Sequence, residues 1–121
     1  MSRFEKLDEV SCGRGYLDND TGLVWEAEDE PGWFSHEEAM ELNTAIWRLP
    51  TIKELVGIID YDICEPATLL PGIKLSYYWS ASPHASGPRL TWLVNFGGGC
   101  SDYYNHHHSR YVRMVARHRS Q

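Results

Sequence analysis

The strongest constraint on what this chain can fold into is a pair of helix-start signals separated by a proline. Ser35 and Glu38 have the spacing of a capping box: the serine oxygen accepts from the N3 amide while the glutamate reaches back to the cap. Thr51 and Glu54 repeat the arrangement. Between them runs Trp47–Pro50 (WRLP), and Pro50 pushes Leu49 out of the helical region, which ends the first helix there. Ala39, Leu42 and Ile46 form an apolar stripe behind the first box. Ile52, Leu55, Val56 and Ile59 form a cleaner one behind the second. The pattern predicts two short helices joined by a stiff connection.

The rest of the chain reads as strands and turns. Gly15–Trp25 is strand, turn, strand, with Asp18–Gly22 supplying the turn chemistry. After Asp62, proline and glycine punctuate short β-like runs: Tyr77–Ala81, Leu90–Phe96 and Tyr111–His118. Leu90, Trp92, Val94 and Phe96 are expected on one face, and Val112, Met114 and Ala116 on another. Trp25, Trp47, Trp79 and Trp92 are core candidates, whereas Trp33 lies in an acidic, glycine-containing loop and is expected to be exposed. Arg48 and Arg113 sit in apolar motifs, where an arginine pairs with carboxylates or stacks on tryptophan. With no repeat and no low-complexity linker, residues 1–121 are one α+β domain, its two helices packed on an irregular antiparallel sheet.

Charge and cysteine content narrow the function classes. Sixteen of the 17 acidic residues lie in Met1–Glu65 against five basic ones, whereas Pro66–Gln121 carries six basic residues and only Asp102. The polarity suits solvated acidic helix faces, or a basic half that meets an anionic or aromatic-rich partner. Overall acidity argues against direct nucleic-acid binding. Cys12, Cys64 and Cys100 form no close pair, which fits free thiols in a reducing compartment. The N-terminus has no signal-peptide pattern and no run is long enough to span a bilayer, so the expectation is a cytoplasmic protein, unless a partner or virion carries it out.

Five segments together point to a known family. They are Tyr16–Trp25 (YLDNDTGLVW), Trp47–Leu55 (WRLPTIKEL), Tyr78–Ser82 (YWSAS), Trp92–Phe96 (WLVNF) and Tyr111–Val115 (YVRMV). In this order they resemble the Lcl C-terminal domain family, named for a collagen-like adhesin. The WRLPT element also occurs in formylglycine-generating and related sulfatase-modifying domains. The resemblance implies a C-type-lectin-like fold and a ligand-binding role, with no established reaction. Two departures stand out: family members are often exported as parts of larger surface proteins, and Cys100 lacks the second cysteine of the formylglycine-generating enzymes.

The candidate site is Cys100–Arg110 (CSDYYNHHHSR), which contains almost no aliphatic side chain. Tyrosine and histidine offer flat faces with polar tips, and Ser, Asn and Asp add adaptable contacts; this is paratope chemistry. It also resembles the variable segments of retroelement-diversified lectin-fold proteins. The ligand-binding candidates are Asp102, Tyr103, Tyr104, Asn105, His106, His107, His108 and Arg110, with the Trp79–Ser82 and Pro83–Arg89 loops nearby. The alternative is a wet hairpin that recognises nothing. His106 and His108 with Asp102 fall short of the four ligands of a structural zinc site, so no metal or cofactor is assigned. No GxSxG, HExxH or phosphate-cradling loop occurs, and Glu28 with Glu30 and Glu37 with Glu38 read as acids on solvated faces, so no enzyme is expected. The expectation is a non-catalytic recognition domain for a protein or an anionic glycan, with homo-oligomer clustering as a source of avidity. The competing reading is a phage- or mobile-element-encoded protein that blocks a host complex through its acidic half.

Overall fold

The computed structural model describes residues 3–7, 15–85, 87, 90–105 and 108–117. Among the described residues, seven strands and two short helices follow one another in the order β1 (Phe4–Leu7), β2 (Gly15–Asp18), β3 (Leu23–Glu26), α1 (His36–Met40), α2 (Ile52–Gly57), β4 (Tyr77–Pro83), β5 (Leu90–Asn95), β6 (Cys100–Asn105) and β7 (Val115–Arg117). The class is α+β, as the sequence predicts. The strands divide into two antiparallel sheets rather than one, with orders β1-β2-β3-β7 and β4-β5-β6. β1 has no counterpart in the sequence reading. No described helix is long and apolar enough to cross a membrane.

Both capping boxes form as predicted. Ser35 and Thr51 accept from the amides of Glu38 and Glu54, and both glutamates bond back to the caps. The first helix is nonetheless shorter than its apolar stripe suggested. It ends at Met40, Leu42 packs at the edge of the core, and Ile46 is 46% exposed. Asn43 and Thr44 explain the stop. The Asn43 carboxamide accepts from Leu49 N at 2.8 Å, and the Thr44 hydroxyl accepts from Trp47 N at 2.9 Å. These side chains offer the backbone a turn in place of helix.

The WRLPT element then ties the layers together. Arg48 exchanges backbone hydrogen bonds with Val115, the first residue of β7, and holds Glu54 of α2 with two contacts of 2.8 and 2.7 Å. The Pro50 carbonyl accepts from Ala81 of β4, and the Ser82 hydroxyl satisfies the first free amide of α2, Ile52 N, at 3.0 Å. One core cluster joins Trp25 and Val115 of the first sheet to Tyr78, Val94 and Phe96 of the second, under Leu55 and Ile58. Another gathers Ala39, Leu49, Trp79, Leu93, Val112 and Met114.

Three further expectations change. Trp25 and Trp79 are fully buried, but Trp47 and Trp92 are half-buried at the margins. Trp79–Ser82 belongs to strand β4 and is no loop. Among the described residues the last strand is Val115–Arg117, because Tyr111 pairs with Tyr78 and leaves Val112–Met114 running between the sheets, with Val112, Arg113, Met114 and Val115 all buried; His118 lies outside the described residues. Trp33 is 66% exposed, as expected of its loop.

Candidate functional site

The candidate segment is strand β6, paired with β5 in the register Trp92↔Tyr103, Thr91↔Tyr104 and Leu93↔Asp102. Strand alternation divides the candidate residues between two faces. On one face Tyr103 stands opposite Trp92, their ring centroids 5.8 Å apart, and His84 lies 3.9 Å from Tyr103 and 4.7 Å from Trp92. Tyr103 is the most open of the three, at 43% exposure. On the other face Tyr104 meets Tyr77 at 5.5 Å and His108 at 5.3 Å. The Arg110 guanidinium lies 4.8 Å from the ring centres of both Tyr77 and Tyr104. Hydrogen bonding to Tyr104 raises the Tyr77 phenol above its ordinary pKa.

The structure therefore brings Tyr104, His108 and Arg110 together with Tyr77, and sets Tyr103 apart with Trp92 and His84. Asp102 is half-buried and accepts from the Tyr103 amide at 2.8 Å, and the Asn105 carbonyl accepts from His108 N. His106 and His107 lie outside the described residues, as do Ser86, Pro88 and Arg89 of the adjoining loop. Arg110 is fixed by backbone pairing with Phe34, and its buried Nε has no partner among the described residues. Cys64 and Cys100 are free and exposed. No group of three or more His, Cys, Asp or Glu among the described residues has the geometry to hold a metal.

A second constellation escaped the sequence reading. The acidic loop after β3 is anchored by Asp29, whose side chain is 4% exposed. One carboxylate oxygen accepts from Arg113 Nε at 2.8 Å; the other accepts from Lys74 Nζ at 2.8 Å and Tyr78 Oη at 2.7 Å. Arg113 is buried and also donates to the carbonyls of Glu26 and Pro71, so the structural role read for it holds. Burial, with the hydrogen bond to Asp29, raises the Tyr78 phenol. Beside it Glu26 accepts from Met114 N at 2.7 Å and hydrogen-bonds Glu30. Burial first, and Glu30 second, push the Glu26 carboxyl up to about 8. The convergent acids are thus Glu26 and Glu30, whereas the sequence reading placed Glu28 and Glu30 together on a solvated face and did not single out Glu26.

Clefts open on either side of this loop. One, of about 480 Å³, lies against Lys6, Tyr16, Glu26 and Trp47; the other, of about 620 Å³, lies against Trp33, Gly72, Lys74, Tyr111 and Arg113. The only hint in the sequence was Arg113 itself, whose apolar motif demanded a carboxylate without saying which.

Two sheets braced by the WRLPT element, with aromatic side chains displayed on an edge strand, define a small α+β domain. The chain belongs to the Lcl C-terminal domain family, which it matches over residues 15–116. It is also 30% identical over 74 residues to AA9 family lytic polysaccharide monooxygenase D of Botryotinia fuckeliana (strain B05.10), a match covering 59% of this chain and 28% of that protein. The chain thus spans well under a third of that relative's length. No solved structure matches it.

Proposed function

We propose that this chain is a non-catalytic, lectin-like domain that binds a glycan across the β4-β5-β6 face. The observation that carries the reading is the ring group Tyr103, Trp92 and His84, three aromatic side chains in mutual contact at the margin of a short sheet, with Tyr103 43% exposed. Such a surface offers apolar ring faces set at angles to one another and edged with hydroxyl and imidazole groups, which suit the C–H faces and hydroxyls of a sugar. Two things support it: the monooxygenase that shares a segment with this chain is named for polysaccharides, and the sequence motifs resemble a domain of a collagen-like adhesin. Arg110 is held between tyrosine rings, so among the described residues of this face any preference for anionic sugars rests on one partly engaged cation.

The test is retention of the purified chain on immobilised neutral and sulfated polysaccharides, compared with Tyr103→Ala and with Tyr61→Ala as a remote exposed control. Tyr103→Ala is expected to weaken retention at least about tenfold while leaving stability within about 1 kcal/mol. Tyr61→Ala should bind like the native chain. Equal retention of native and Tyr103→Ala proteins would remove the face from the reading; capture of a protein partner with no polysaccharide retained would replace the ligand class.

A further inference from the structure

The larger cleft beside the acidic loop carries an arrangement that neither the fold nor the β6 face needs. Its wall holds Trp33, 66% exposed, and Tyr111, with ring centroids 6.1 Å apart at 74°. Lys74 Nζ stands 5.0 Å over the Tyr111 ring. Below lies Arg113, whose side chain is 0% exposed and whose Nη2 has no hydrogen-bond partner among the described residues. Both Gly72 and Arg113 line the cleft, and a Cβ at Gly72 would stand 3.0 Å from that Nη2, so any larger residue there would crowd the unmet donor. Leaving such a donor buried and unpaired is costly, the more so for a charged group. An oxygen acceptor that reached it on binding would recover that cost.

The surrounding charges select the class of ligand. An anion would satisfy Nη2 and Lys74 but would face the carboxylates of Glu28 and Glu30 on the same wall. A cation would suit those carboxylates and the two rings, yet it would meet Lys74 and leave Nη2 unpaired. Asp29 adds no free acceptor, since both its oxygens are already engaged. A neutral molecule with several hydroxyls meets both demands, accepting from the cations and donating to the glutamates, while its C–H face lies on Trp33. The volume of about 620 Å³ falls within the range of small-molecule sites. We propose that this cleft is a binding subsite for a neutral saccharide unit, separate from the β6 face and lined by Trp33, Tyr111, Lys74, Gly72 and Arg113.

The experiment uses the full chain and a fixed set of probes: maltose, cellobiose and lactose, with sodium glucuronate and tetramethylammonium chloride as anionic and cationic comparators. Binding is followed by saturation-transfer NMR and titration calorimetry for the native chain, Trp33→Ala and Tyr103→Ala. The expected result is saturable binding of at least one disaccharide, at least about tenfold weaker for both comparators and for Trp33→Ala, and unchanged in Tyr103→Ala. Because Trp33 is exposed, its replacement leaves the fold intact, and the thermal transition checks this. The proposal is overturned if no disaccharide binds up to its solubility limit, if either charged comparator binds more tightly, or if Trp33→Ala binds like the native chain. Loss in Tyr103→Ala alone would move the disaccharide to the β6 face, overturning the cleft while supporting the proposed function. Polysaccharide retention through Tyr103 without any disaccharide binding would likewise overturn the cleft alone.

Discussion

Glu26 sits at the end of β3 with its carboxyl between the Met114 amide and Glu30, and its proton links folding to pH. In the folded chain it holds that proton to about pH 8, against an ordinary value of 4.5. Between those limits the folded state binds a proton that the unfolded chain has released, so stability falls as pH rises and is fully present only below the lower limit. Glu26→Gln keeps an acceptor for Met114 and a donor for Glu30 but cannot ionise. The variant should match the native chain near pH 4 and exceed it at pH 8.5 by on the order of 1 kcal/mol, a figure discounted for partial exposure of the site. Urea titrations of both proteins across that range check this; a difference that stays constant with pH would show that Glu26 ionises normally.

At the scale of elements, the capping boxes should carry more than their local share. Glu54 closes the box of α2 and also receives both contacts from Arg48, which pairs in turn with Val115. Thr51→Ala removes one cap bond and should cost about 1 kcal/mol. Glu54→Ala removes the return bond and strands Arg48 as well, so it should cost more, about 2 kcal/mol. Chemical denaturation of the two variants ranks them, and the reverse order would show that the Arg48 link contributes nothing. These boxes were legible in the sequence because every bond in them spans three residues. The end of α1 was not, because it depends on how Asn43 and Thr44 turn back onto the backbone against an apolar stripe that invited continuation. The site was legible to a similar depth: composition marked β6, but the separation of Tyr103 from Tyr104 needs the strand register. Asp29 and Arg113 stand 84 positions apart, and nothing local joins them.

Across the whole molecule, the stretch from Arg110 to Arg117 binds the two sheets into one unit. It pairs with Phe34, with Tyr78 of β4, with Arg48 and with β3 in succession, and it places Arg113 in the Asp29 network. Unfolding should therefore be a single transition. Tryptophan fluorescence weights the core residues Trp25 and Trp79, and far-ultraviolet circular dichroism weights the backbone; their urea midpoints should coincide. Separated midpoints would show that one sheet outlasts the other.

Strand β6 is an outer member of its sheet, with β5 as its strand neighbour among the described residues, and Ser101 and Tyr103 face outward. Substitutions at such positions change stability by only about 0.5 kcal/mol in either direction. Inheritance can thus act on the two halves of this molecule separately. What the strand displays can be rewritten letter by letter at little cost in stability, because Trp25, Leu49, Trp79 and Arg113 hold the architecture beneath it.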